Sequence, residues 1–323
     1  MGLPNQVARR SYPFLPAELP VSSEGRIYHL DLLPEEVAQH IVIVGDPDRV
    51  PLIADAHLTN VEIDHMHRGL RTITGEVKET GQRVSVITSG MGTPSLEIVL
   101  QEIVALHEVD LKTLTPKESF EPLSIIRVGT SGGLQADTPL GLPILSRYAV
   151  GLDNTGLFFA AEGHDEHCLR MELEIHSLLA EAHAQGSRFR GRIWPYVVKA
   201  NSDLADTVKR KAQELGMPIK EGITVSSSGF FSNQGRWVTR IPPYLEKIEE
   251  TLAGYAPGVG ALQVENMEME CSFLFQFINS LGHRATCICP AIANRHAGTF
   301  ASREEIQESI HRTTQVVFQA LAA

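Results

Sequence analysis

Three times along the chain a β-rich run stops at a glycine-rich turn with an arginine near by: VGDPDRV (44–50), TSGMGTPS (88–95) and RVGTSGG (127–133). The first is led by IVIV (41–44), β-branched or apolar at every position. A strand with no polar face needs cover on both sides, and that is the setting of a strand inside an open sheet between helices. The recurring unit therefore directs the chain towards an α/β fold.

The remaining segments fit that frame. Leu70–Val77 and Arg83–Thr88 read as strands joined at Thr80-Gly81, and 142–150, 222–227 and 285–289 as further strands. Residues 48–56 read as a short helix. Pro94 suits a first helical turn, and Leu96, Val99, Leu100, Ile103 and Val104 follow at helical spacing. Helices are also expected over 166–184, over 202–215 with Ser202 or Asp203 as cap, over 268–278 and over Arg303–Leu321. Residues 1–28 carry Pro4, Pro13, Pro16 and Pro20 without a period, as an arm laid over the domain or a neighbour would. The stretch 107–123 breaks the pattern and reads as an inserted surface loop. No repeat or linker divides 29–323. The expected architecture is one α/β domain with a central mixed, largely parallel sheet flanked by helices.

Composition narrows the function. The 323 residues are 43% hydrophobic and 21% charged, which excludes wholesale disorder. Twenty-eight basic against 39 acidic residues give a net charge of −11. An anionic ligand then needs a local basic pocket, and nucleic acid is not an expected partner. No apolar run approaches the roughly 18 residues that span a bilayer, and MGLPNQVARRSYPF lacks the apolar core of a signal peptide. Four cysteines exclude a disulfide scaffold. A cytoplasmic protein away from membranes is expected.

Glycines let backbone N–H groups close on an anion, and Arg49 and Arg127 offer the bidentate donors that suit phosphate. Each glycine is equally readable as a mere turn and each arginine as a surface charge. No G-x-G-x-x-G or G-x-x-x-x-G-K-[ST] pattern supports a dinucleotide or ATP. NMEMECS (266–272) sets Glu268 two residues from Glu270; such a pair repels if buried and ionised, so the two need different tasks. One carboxylate makes a good clamp for a sugar diol; the alternative is two acids complementing a helix dipole. GFFSNQGRW (229–237) joins the amide of Gln234, the guanidinium of Arg236 and two phenylalanines. An amide matches a base edge with N–H beside C=O, and a ring gives the base a wall; the alternative is a loop pinned by buried aromatics. HDEH (164–167) and HMH (65–67) lack a third ligand at a recognisable spacing, so no metal is expected. Cys287 and Cys289 alternate as strand core residues do and lack the C-x-x-C redox spacing. No G-x-S-x-G elbow supports a hydrolase triad.

GDPDRV, HRGLRT, SGMGTPS, RVGTSGG, SSSGFFSNQGR, MEMECS and ANR occur in this order. The ordered set, from about His29 to the C-terminus, resembles the uridine phosphorylases of the nucleoside phosphorylase-I family. The resemblance implies phosphorolysis of uridine to uracil and ribose 1-phosphate, with phosphate as co-substrate and no cofactor. It implies phosphate against Gly45, Arg49, Arg68, Arg127 and Thr130. It implies ribose against His29, Thr130, Met269 and Glu270, and uracil against Phe230, Gln234, Arg236 and Glu268. Arg49, Arg127 and Glu270 would carry catalysis. It further implies a homo-oligomer, with Arg68 and His29 completing the neighbour's site; the arm and the 107–123 stretch favour a dimer over a hexamer.

The sequence departs from the family at three places. Asn233 stands where a glycine usually precedes the glutamine, Gly229 precedes Phe230, and Gly69 replaces a glutamate that in bacterial relatives helps hold a monovalent cation. Two rival readings share the motifs: a purine nucleoside phosphorylase or nucleosidase on the same fold, and a silent nucleoside-binding protein. The first wants an aspartate near the end of the 285–289 strand, where this chain has CPAIANR with Asn294. The second needs no phosphate-binding arginines.

Overall fold

A computed structural model describes residues 13–161 and 165–323. Residues 1–12 of the N-terminal arm, and His164 of HDEH, lie outside the described residues. The chain opens with β1 (His40–Val44), α1 (Arg49–His57), β2 (Leu58–His67), β3 (Leu70–Val77), β4 (Arg83–Thr88) and α2 (Thr93–Glu108). Within the 107–123 stretch, α2 runs on to Glu108 and a small hairpin follows, β5 (Val109–Asp110) with β6 (Thr115–Pro116). Val109, Leu111 and Leu123 are buried there, which ties the stretch to the core. Then come β7 (Ser124–Val128), β8 (Ser131–Gly133), β9 (Pro143–Gly151), α3 (Glu166–Ala182), β10 (Tyr196–Lys199), α4 (Ser202–Glu214) and β11 (Lys220–Ser226). The chain closes with α5 (Ile248–Ala253), β12 (Val264–Glu268), α6 (Cys271–Leu274), a π-helical turn (Phe275–Asn279), β13 (Arg284–Asn294), β14 (Thr299–Phe300) and α7 (Arg303–Leu321).

The sheet is mixed. β4, β1, β7 and β13 lie side by side in parallel, and β9, β11 and β12 form a second parallel set. Antiparallel neighbours extend it: β3 and β2 at one end, β10 at the other. β13 pairs both with β8 and, at its middle, with β9, so β9, β11, β12, β8 and β13 close into a ring. IVIV lies at the centre, its four residues wholly buried, as a strand covered on both faces requires.

Three local readings change. The helix expected from Glu268 begins at Cys271, because β12 runs through Glu268 and is buried along its length. Asn201, rather than Ser202 or Asp203, caps α4; its side chain accepts from the Leu204 N–H at 3.0 Å. β2 was not expected; its outer residues are largely exposed and polar, and it alternates weakly. β2 and β3 turn through Arg68 and Gly69, with φ of +52° and +79°. A two-residue turn with both φ positive is the hairpin form that favours glycine at its second position, which accounts for Gly69.

Candidate active site

Parallel strands deliver their C-terminal ends to one side of a sheet. Here the ends of β1, β7 and β12 and the turns after them surround a cavity of about 380 Å³. All the residues expected at the site line it except His29 and Arg68: Gly45, Arg49, Arg127, Thr130, Phe230, Gln234, Arg236, Glu268, Met269 and Glu270.

Arg127, the fourth residue of β7, is 3% exposed. Its guanidinium lies between the two carboxylates, 3.0 Å from Glu268 Oε2 and paired with Glu270 Oε2. It also approaches Cys289 Sγ at 3.3 Å. A Cβ at residue 129 would overlap this guanidinium, so only glycine lets the arginine fold back against its own strand end. The two acids do have different tasks. Glu268 is the collector of donors: Ser226 Oγ, the Glu270 N–H at 2.8 Å and the Cys271 N–H at 3.0 Å. Burial pushes its carboxyl up, to about 7, against the pull of Arg127, Ser226 and the Cys271 N–H. Glu270 accepts from the Gly92 N–H at 2.5 Å and shares Arg127, while its side chain lines the cavity. One guanidinium between two carboxylates leaves this end of the site net negative when both are ionised. Arg127 is thus a fixed, committed cation. Arg49 is held loosely: its nearest anion is Asp46 Oδ2 at 3.7 Å, and its side chain is 22% exposed.

At the other end Gln234 is 3% exposed on a 3₁₀ turn. Its Nε2 donates to Ser227 Oγ at 3.0 Å, and its Oε1 accepts from Arg236 at 2.6 Å. The amide orientation follows from its partners. Arginine only donates, and the Ser227 hydroxyl gives its proton to the Gly229 carbonyl at 3.0 Å, so it accepts from Gln234. One amide N–H and one carbonyl lone pair remain for a ligand. Arg236 lies 3.9 Å over the Phe230 ring and donates to the Phe230 carbonyl at 2.5 Å. Asn233 turns outward, donating to Ser228 Oγ at 3.1 Å.

His29 and Arg68 sit together, away from this cavity. The His29 N–H and Nδ1 engage Glu102 at 2.8 and 2.7 Å, and His67 Nδ1 lies 3.0 Å from the His29 carbonyl. Arg68 donates to the Tyr28 hydroxyl at 2.8 Å and lies over its ring. Asn294 does not line the cavity; its amide donates to the Thr138 carbonyl at 2.8 Å and its oxygen accepts from the Ala297 N–H at 2.8 Å. Sequence reading missed Ser226 and Ser227, which hold Glu268 and Gln234, and Asp46 and Met91, which also line the cavity. The serines stand in the quoted SSSG run, but their partners lie elsewhere in the chain or fold. Among the described residues no group of three His, Cys, Asp or Glu side chains is placed to hold a metal, and no helix is long and apolar enough to cross a membrane.

Known proteins share this architecture. The chain is 29% identical over 297 residues to a uridine phosphorylase of Thermococcus kodakarensis, covering 92% of this chain and 88% of that protein. It is 25% identical over 292 residues to a DeoD-type purine nucleoside phosphorylase of Listeria welshimeri, covering 90% and 97%. Among solved structures, a Trypanosoma brucei nucleoside phosphorylase described as showing uridine phosphorylase activity superposes with a TM-score of 0.84 at 27% identity, covering 94% of this chain and 99% of that one. The sequence profile of the Phosphorylase superfamily matches residues 39–323, and the chain belongs to that family.

Proposed function

We propose that this protein is a uridine phosphorylase that splits uridine with phosphate into uracil and ribose 1-phosphate. The carrying observation is the buried Gln234 amide, whose polarity is fixed by Ser227 and Arg236 beside the Phe230 ring. Uracil offers a ring N–H next to a carbonyl, and the free N–H and lone pair of Gln234 complement that edge. Arg236 faces the second carbonyl, where negative charge collects as the base departs.

Phosphate takes the opposite end, against Gly45, Arg49, Arg127 and Thr130, with Arg68 supplied by a neighbouring copy. The nucleophile is already anionic, so no general base and no enzyme-bound intermediate is required. The sugar becomes cationic in the transition state. Glu270, held by Arg127 and the Gly92 N–H, faces the ribose hydroxyls with Met269 and Thr130, and the neighbour's His29 takes the 5′-hydroxyl. Negative charge at this end is then useful: phosphate and Glu270 together stabilise the cationic sugar. No cofactor enters the reaction. The separation of His29 and Arg68 from their own chain's cavity supports sharing across a homo-oligomer, for which we favour a dimer. The reaction places the protein in pyrimidine salvage in the cytoplasm.

The purine reading shares the fold and, in the Listeria relative, a comparable identity. It lacks its proton donor, since Asn294 is an amide bound to loop carbonyls. The test is a panel of uridine, cytidine, inosine and adenosine, each with and without phosphate. Uridine cleavage that depends on phosphate is expected. Faster inosine or adenosine cleavage overturns the pyrimidine assignment, and free ribose formed without phosphate overturns phosphorolysis.

A further inference from the structure

Asp153 follows β9 and is 4% exposed. Among the described residues no cation forms an ion pair with it. It is instead surrounded by neutral donors: the Tyr196 hydroxyl at 2.8 Å, the Ser272 hydroxyl at 3.0 Å and the Thr155 N–H at 2.8 Å. The Tyr196 phenol is pushed well up by burial and by Asp153, so it stays a donor. The ring of Tyr196 packs against Gly151 and Gly156 on either side of Asp153; a Cβ at either glycine would collide with it. A carboxylate that is buried without a cation is costly to keep, and this one is built in from several directions.

Both arms of the arrangement end on the carboxylates that grip Arg127. On one side Asp153 holds Ser272, whose N–H donates to Ser226 Oγ at 2.9 Å. With that lone pair occupied, the Ser226 hydroxyl proton goes to Glu268. On the other side Asp153 fixes the Thr155 N–H, and the Thr155 hydroxyl meets that of Thr93 at 2.8 Å. Thr93 is the first residue of α2, directly after Gly92, whose N–H holds Glu270. Asp153 itself is absent from the cavity wall.

We propose that Asp153 is a positioning residue: through Ser272–Ser226 and Thr155–Thr93 it sets the placement of Glu268 and Glu270 around Arg127. It touches no reactant. A carboxylate accepts from all three partners at once. Asparagine keeps an acceptor for the Thr155 N–H only by turning its amide protons on Tyr196 and Ser272, so both hydroxyls must reverse direction and the network is re-formed.

This rests on the phosphorolytic reading above. The experiment compares wild type with Asp153→Asn, Ser226→Ala and the double variant, with uridine and phosphate, and records melting temperatures alongside. Asp153→Asn is expected to lower kcat by about ten- to a hundredfold, as small misplacements of reacting groups do, with KM for uridine within about threefold. In the double variant the losses are expected to fall short of multiplying, because Ser226→Ala already interrupts one of the two arms through which Asp153 acts. A kcat within twofold of wild type, a loss that appears only in KM, or losses that multiply in the double variant would each overturn the proposal. If Asp153→Asn does not fold, Ser272→Ala takes its place under the same criteria, since it removes one hydroxyl and keeps the backbone N–H. Wild type that fails to cleave uridine with phosphate would overturn the functional reading instead, and so separates the two failures.

Discussion

The Arg236 guanidinium donates to Gln234 Oε1 at 2.6 Å while lying over the Phe230 ring, so the reader of the base and its wall form one unit. Replacing Gln234 with leucine deletes the reader and leaves Ser227 and Arg236 only their bonds to the Gly229 and Phe230 carbonyls. Each mismatched buried polar group costs about 1–3 kcal/mol. Gln234→Leu should therefore abolish uridine turnover without granting cytidine turnover, since no complementary edge is supplied. Values of kcat/KM for both nucleosides check this; cytidine cleavage gained by the variant would contradict it.

Arg127 and Arg49 should differ in what they cost. Arg127→Ala leaves two buried carboxylates facing each other, so it should lower stability by about 3 kcal/mol or more in addition to activity. Arg49→Ala removes a loosely held side chain and should cost activity alone, about 2–4 kcal/mol in kcat/KM if it stabilises transition-state charge. Urea unfolding of both variants is the measurement, and equal stability losses would count against this division.

Glu268 and Glu270 should also separate. Glu268→Gln turns amide protons on donors whichever way it sits, on Ser226 and the Cys271 N–H or on Arg127 and the Glu270 and Cys271 N–H groups, and should show its damage first in melting temperature. Glu270→Gln has fewer donors to offend and should show it first in kcat, through the lost charge facing the sugar. Paired melting and kinetic curves decide; the reverse order in either variant refutes the assignment.

His57 provides the pH dependence. It is 5% exposed, bonded to Thr314 at 2.9 Å and stacked on Phe318, and burial lowers it to about 4. The unfolded chain protonates this imidazole near 6.5 and the native one only near 4. Its contribution is complete above pH 6.5 and is lost as pH falls towards 4, by about 3 kcal/mol. His57→Gln keeps a polar partner for Thr314 and should flatten the fall in stability between those limits. An unchanged slope of urea midpoint against pH would exclude His57 as its source.

Sharing of sites can be read from hybrids. Arg68→Ala and Glu270→Gln subunits should each be weak alone. Coexpressed, they should regain activity, because a mixed dimer holds an unaltered cavity served by an unaltered neighbour. Purified hybrids as inactive as their parents would place Arg68 outside the neighbour's site.

Much of this arrangement was legible from local signals. A run such as IVIV, a glycine after it and an arginine close by are local signals of a buried strand and its turn; Arg49 and Arg127 came from such motifs, Gln234, Arg236, Glu268 and Glu270 from two other short stretches, and Thr130 and Met269 from the family resemblance alone. β2 was missed because its exposed face is polar and its alternation weak. The start of α6 was misplaced because Glu268 reads as a helical acid unless the burial of Val264 and Met267 is known. Asn201 outcompeted its neighbours as cap through one hydrogen bond. Ser226, Ser272 and Asp153 are common residues whose tasks arise only when Tyr196 and Thr93, distant in sequence, are folded against them.

The pairing of β13 with both β8 and β9 has a mechanical consequence. An open sheet can shear, one strand sliding past the next at its edge. A ring of strands cannot: moving any member by one residue breaks the ladders on both its sides and turns its inward side chains outward. The carboxylate-bearing end of β12 belongs to that hoop. Strand sliding is thereby closed to the hoop, while the turns on its rim, such as 90–92 and 229–237, lie outside its ladders.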